Sequence, residues 1–125
     1  NNLDAAITAR RDDLIALTQD LIRIPTLNPP GNNYREICEY LDRRLRKSGF
    51  ETELIRAFGT PGDSEKYPRW NIVARRSGGK NGDCVHFNSH TDVVEVGNGW
   101  TKDPFGGELI DGKVSIKILR IWFSH

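Results

Sequence analysis

The chain has 125 residues, with 18 basic against 17 acidic side chains and a net charge of +1. That length suffices for one domain with a real core, and the balance excludes the electrostatic footprint of a nucleic-acid binder. No apolar run is long enough to cross a bilayer, no signal peptide is visible at the polar start, and Cys38 and Cys84 are too few for a disulfide framework. Both cysteines read as free thiols, which points to a reducing compartment, the cytoplasm.

The first segment predicts one long amphipathic helix, because Leu3, Ile7, Leu14, Leu17 and Leu21 recur at helical spacings. Pro25 disfavours helix at Ile24, and Pro29-Pro30-Gly31 blocks a quick restart. The segment Arg23 to Gly31 therefore reads as a connecting loop. A second helix follows, capped by Asn32 or Asn33 and striped with Tyr34, Ile37, Cys38, Leu41 and Leu45. The cluster Arg43, Arg44, Arg46 and Lys47 reads as its wet face. Gly49 suits a left-handed helix stop, with Phe50 folding back as its apolar partner.

"FETELIRAF" alternates and predicts a strand. "TPGDSEKYP", Thr60 to Pro68, is a polar loop, and "WNIVARR" predicts a second strand. "SGGKNGD", Ser77 to Asp83, is a turn. A third strand is expected from Cys84 to Asn88. Helices followed by strands suit an α/β domain, a layered sheet with flanking helices.

The densest chemistry lies in "HFNSHTDVVEVGNGWTKDPF", His86 to Phe105, which holds two of the three histidines. A strand ending near Ser89 puts His90 at its carboxyl end, where the loops of open α/β sheets diverge and leave a crevice. A neutral imidazole there is a good ligand for zinc or a similar ion. Its second ring nitrogen needs an acceptor to fix ring and tautomer, and Asp92 stands two residues on. The bland alternative for His90 is a hydrogen-bonded interior histidine; the surrounding residues favour the ligand. Val93 and Val94 could pack beneath the site, and Gly97 to Gly99 permits a tight reversal. Trp100, Pro104 and Phe105 read as core packing rather than substrate contacts. His86 reads as structural, deeper in the sheet, and His125 as without a role.

"NSHTDVVEVGNGWTKDPFGGELIDGKV", with "LIRIPTLNPPG" upstream, resembles the acetylornithine deacetylase, succinyl-diaminopimelate desuccinylase, aminoacylase and carboxypeptidase G family of di-metal metallopeptidases. The likeness runs to about Val114. It implies a zinc-peptidase-like catalytic domain, two zinc or cobalt ions, and hydrolysis of the amide bond of N-acyl amino acids or short peptides. It also implies a metal-ligand role for His90 and a catalytic orienting role for Asp92. A homodimer through the family's smaller inserted domain is a further implication, with no nucleic-acid or membrane partner.

The tail departs from that family. "SIKILRIWFSH", Ser115 to His125, contains no acidic residue, whereas the family next supplies an Asp that bridges the metals and later a Glu pair. Residues 1–125 are thus expected to be the N-terminal portion of a catalytic domain, without the inserted domain and the C-terminal part, ended by truncation or a change of reading frame. Alternation of Val114, Ile116 and Ile118 suggests a strand in the tail, with an aggregation risk if its edge is exposed. One His and one supporting Asp fall short of the three or so ligands of a catalytic metal, so the chain alone is expected to be inactive. Two other readings stand beside this one. A non-catalytic binding or regulatory subunit would be soluble, with an apolar patch covered on association. A truncated product without independent function would be poorly soluble.

Overall fold

The computed structural model describes residues 2–79 and 82–114. It is a mixed α/β structure in two compact units. One comprises residues 26–95 and the other residues 2–25 with 96–114.

In the 26–95 unit, helix α3 (Tyr34–Lys47) packs on an antiparallel hairpin of β1 (Glu51–Arg56) and β2 (Trp70–Arg75). The pairing runs from Glu51 opposite Arg75 to Arg56 opposite Trp70. Ile37 and Cys38, on the inner face of α3, are the two buried hydrophobic residues among those described. Burial pushes the Cys38 thiol up to about 11, with the Glu39 carboxylate adding to the effect. The thiol therefore behaves as a small apolar side chain.

The end of α3 shows how local chemistry fixes the chain's direction. Gly49 takes φ 83°. The Phe50 N–H reaches the Leu45 carbonyl at 3.0 Å and the Gly49 N–H reaches Arg46 at 2.9 Å. These two bonds make a Schellman stop, as the Gly49-Phe50 pair suggests. Beyond it, Asp42 accepts from Arg46 at 2.8 Å and from the Thr52 hydroxyl, and Arg46 also donates to the Thr52 carbonyl at 3.0 Å. Arg46 thus fastens α3 to β1, while Arg43 and Lys47 are exposed. At the start, Asn33 occupies the N-cap position with φ 58°.

The β1–β2 connection is organised by one carboxylate. Asp63 accepts from Arg56 Nε at 3.1 Å, from the Gly59 N–H at 3.2 Å and from the Arg69 N–H at 3.0 Å. The Arg69 N–H foremost, then Gly59 and Arg56, hold the Asp63 carboxyl below the usual carboxylate range against the opposing effect of burial. Asp42 is lowered too, chiefly by the Thr52 hydroxyl and by Arg46. A carboxyl depressed on folding stabilises the native state above its unfolded pKa of about 4, and that stability is lost as pH falls through the folded value. Melting temperature is therefore expected to hold steady above about pH 5 and to drop below about pH 4. Asp63→Asn should flatten part of that drop when melts are followed by circular dichroism. An unchanged acid limb in the variant would remove Asp63 from this role.

In the second unit, the expected single helix is two, α1 (Asn2–Thr8) and α2 (Arg11–Ile22). Arg10 leaves helical geometry at φ −104° and ψ 10°. Asp12 and Asp13 then sit in the first turn of α2, where the helix dipole favours negative charge and so favours a new start. The stripe is not buried, with Leu3, Ile7 and Leu14 all exposed. Gln19 on α2 donates to the Gly107 carbonyl at 2.7 Å. Gly107 has φ 61° and lies against the Gln19 backbone, where a Cβ would be crowded. A short hairpin of β3 (Leu109–Ile110) and β4 (Lys113–Val114) follows. Its Asp111-Gly112 loop has positive φ at both residues, 49° and 74°, as a two-residue type I′ turn requires.

Three further expectations are corrected. The third strand over Cys84 to Asn88 does not form, and Val85 and Phe87 are exposed. Its alternation satisfies strand chemistry, but among the described residues no neighbour supplies a ladder of hydrogen bonds. His86 is consequently exposed rather than deep in a sheet. Trp100 is 42 % exposed and is not core, whereas Pro104 and Phe105 are half-buried. Of the Ser77–Asp83 turn, residues 80 and 81 lie outside the described residues, as does the expected tail strand beyond Val114.

Candidate functional site

The site is assembled by two extended segments lying side by side. Leu27 and Val93 form a parallel bridge. The Val93 N–H donates to Thr26 at 2.9 Å and the Asn28 N–H donates to Val93 at 2.8 Å. Thr26, only 2 % exposed, turns its hydroxyl to the Thr91 carbonyl. Thr26 to Asn28, within a segment read from sequence as a connector, are therefore the frame on which residues 91–93 are held.

On this frame His90 and Asp92 meet. His90 Nδ1 lies 2.7 Å from Asp92 Oδ1. A carboxylate only accepts, so Nδ1 carries a proton, and in the neutral ring Nε2 keeps the lone pair. Half of the His90 side chain is exposed, and Nε2 has no partner among the described residues. Geometrically this is a ring oriented by an acid with its other nitrogen available.

Asp92 is held from the opposite side. Its Oδ2 accepts from Asn28 Nδ2 at 2.8 Å and from the Tyr34 hydroxyl at 3.1 Å. Burial opposes ionisation of Asp92, but the Asn28, His90 and Tyr34 hydrogen bonds together outweigh it and keep its carboxyl below the usual range. Tyr34 responds in reverse: burial and the adjacent Asp92 charge raise it to about 12, so it remains a neutral donor.

Behind these stands Arg69, at the entry to β2. Its guanidinium donates to Asn28 Oδ1 at 3.2 Å and to the Pro30 carbonyl at 3.1 Å, and lies 5.0 Å from the centre of the Tyr34 ring. Arg69 Nε and Trp70 Nε1 are buried without a hydrogen-bond partner among the described residues. A cleft of about 400 Å³ opens here, bordered by Asn28, Tyr34, Thr60, Arg69, Trp70 and Asn71 among others.

Sequence reasoning singled out His90 and Asp92, and the structure brings them together. It passed over Asn28, Tyr34 and Arg69. The polar Asn inside an otherwise apolar and Pro-rich "IPTLNPPG" was the available signal for the first; Tyr34 was absorbed into the apolar stripe of α3, and Arg69 carried no local signal.

The residues present do not complete a metal centre. His90 offers one nitrogen, both Asp92 oxygens are committed, and no group of three or more His, Cys, Asp or Glu side chains suited to a metal occurs among the described residues. A catalytic metal typically takes about three protein ligands.

Among known proteins, the chain is similar to several succinyl-diaminopimelate desuccinylases. It is 39 % identical over 103 residues to a succinyl-diaminopimelate desuccinylase of Cereibacter sphaeroides, covering 80 % of this chain and 24 % of that protein. It is 41 % identical over 103 residues to one from Methylobacterium radiotolerans, covering 81 % and 24 %. It is 34 % identical over 114 residues to succinyl-diaminopimelate desuccinylase 2 of Ruegeria sp., covering 90 % and 26 %. The chain thus matches about a quarter of the length of these curated relatives. No family model and no solved structure matches it.

Proposed function

We propose that this chain, homologous to the N-terminal part of the succinyl-diaminopimelate desuccinylases, is the N-terminal portion of a metal-dependent amidohydrolase catalytic domain acting on N-acyl amino acids. The observation that carries the reading is a half-exposed His90 side chain with Nδ1 held on Asp92 and Nε2 without a partner among the described residues. In this reading His90 contributes one ligand to a zinc or cobalt centre and Asp92 fixes its tautomer. The relatives' name points to a succinyl amide as the bond cleaved. The layered sheet of such a domain would be completed around the Cys84–Asn88 segment, which matches an exposed but alternating stretch. No helix among the described residues is long and apolar enough to cross a membrane, and both cysteines are free, which suits a cytoplasmic small-molecule hydrolase.

One ligand cannot by itself hold a catalytic ion. The 125-residue chain, supplied with zinc or cobalt, is therefore expected to show little or no hydrolysis of N-succinyl and N-acetyl amino acids. Grafted in place of the matching quarter of a curated desuccinylase, residues 1–114 should restore succinyl-amide hydrolysis, and His90→Ala in the graft should lower it by at least 100-fold or so. Robust turnover by the chain alone, or full activity of the grafted His90→Ala protein, would contradict the reading.

A further inference from the structure

Behind His90, Arg69, Asn28 and Asp92 are joined by hydrogen bonds whose donors converge on the Asp92 carboxylate. Arg69 donates to the oxygen of the Asn28 amide at 3.2 Å. The nitrogen of that amide donates to Asp92 Oδ2 at 2.8 Å. Asp92 Oδ1 accepts from His90 Nδ1 at 2.7 Å. An amide can be turned end for end at little steric cost, and turned it would set its oxygen against the carboxylate. Arg69 removes that choice, because a guanidinium has only donors and cannot face the amide nitrogen. Arg69 thus keeps the Asn28 NH₂ on Asp92 Oδ2, and that bond together with the Tyr34 hydroxyl holds the carboxylate with Oδ1 on His90 Nδ1.

Arg69 is itself held in place from several sides. Its second guanidinium nitrogen is bonded to the Pro30 carbonyl at 3.1 Å, and its backbone N–H to Asp63 at 3.0 Å. Its carbonyl accepts from the Ala57 N–H at 2.9 Å. Gly31 and Gly62, with φ 106° and 81°, flank the guanidinium, and a Cβ at either would have to displace it. Tyr34 adds a second hold on Asp92 and supplies the aromatic face near which the Arg69 charge rests.

We propose that Arg69, Asn28 and Tyr34 are positioning residues that hold the Asp92 carboxylate on His90 Nδ1 and so fix the tautomer of His90 that leaves the Nε2 lone pair free. The inference deepens the amidohydrolase reading and rests on it for the purpose of that lone pair. Its test does not, because the tautomer is a property of the metal-free chain.

The experiment is long-range ¹H–¹⁵N correlation NMR of the histidine side chains in the 125-residue chain, at a pH where the imidazoles are neutral. The wild-type His90 should show a protonated Nδ1 and a bare Nε2, with exposed His86 as the reference for an imidazole outside the chain of bonds. Asn28→Ala and Arg69→Gln should each move the His90 tautomer ratio toward the other form by roughly tenfold, leaving His86 unchanged. Tyr34→Phe should move it in the same direction by a smaller factor. It keeps the ring near Arg69 and the folded packing, so it decides the matter should either of the other variants fail to fold. Arg69→Lys cannot bond Asn28 and Pro30 with a planar fork, and should rescue only in part. A His90 that stays protonated at Nδ1 in the folded variants, whatever they lose in stability, overturns the proposal. A positive tautomer result beside an inactive graft would instead count against the amidohydrolase reading alone.

Discussion

Ile37→Ala is expected to cost about 2–4 kcal/mol of stability and to lower the melting temperature by about 10–20 °C. The side chain is 2 % exposed and stands on the helix face that packs against both strands of the hairpin. Elsewhere in a larger domain the loss would be spread over many neighbours. Here Ile37 and Cys38 are the buried hydrophobics among the described residues, so the vacancy has few side chains able to collapse into it. A small core contributes only a few kcal/mol in total, and the substitution should bring unfolding close to ambient temperature. Ile37→Val, with one methylene removed, should cost about 1 kcal/mol. Thermal melts of the two variants give the comparison. A drop of less than about 3 °C for alanine would mean that the unit is held together elsewhere.

Asp92→Asn should have the second large effect, on chemistry more than on stability. The substitution keeps shape while replacing one oxygen by an NH₂ group. Three donors converge on this carboxylate, from Asn28, Tyr34 and His90, and an amide cannot accept from all of them. If the NH₂ faces His90, it must donate to Nδ1, which drives the ring proton to Nε2 and closes the lone pair expected to meet a metal. If it faces Asn28 and Tyr34, donors oppose donors. Both arrangements predict a fall of about 10–100-fold in metal affinity or hydrolysis by the grafted enzyme, with Asp92→Glu recovering only part because its longer stem moves the carboxylate. Near wild-type activity of the grafted Asp92→Asn protein would remove Asp92 from the orienting role.

These effects also mark what could be read from the sequence. The His90–Asp92 pair spans two residues, and Gly49-Phe50 closes its helix through bonds no longer than one turn. Such features depend on adjacent residues and were visible in the string. The hairpin strands were visible too, because Glu51–Arg56 alternates and both it and Trp70–Arg75 sit between clear breaks. The partners of Asp92 were not. Asn28 is 64 residues away and Tyr34 is 58, and neither composition nor period encodes a meeting at that separation. The Cys84–Asn88 segment failed for a related reason. Alternation says that a stretch could join a sheet, while a strand exists only where a neighbour offers its own amides. Asp111-Gly112 was legible as a hairpin signal but lay within the stretch read as signature rather than as structure.

The bond between Asp63 and the Arg69 amide closes the hairpin loop below its tip, where Ser64 and Tyr67 pair at 3.3 Å and the Glu65 side chain is 95 % exposed. Residues added at Glu65-Lys66 would lengthen only the part of the loop beyond that clasp, at an entropic cost that grows slowly with length. The tip is accordingly the place for a tag or a reporter, since a peptide grafted there leaves Asp63, Arg69 and the bonds that begin at Arg69 where they are.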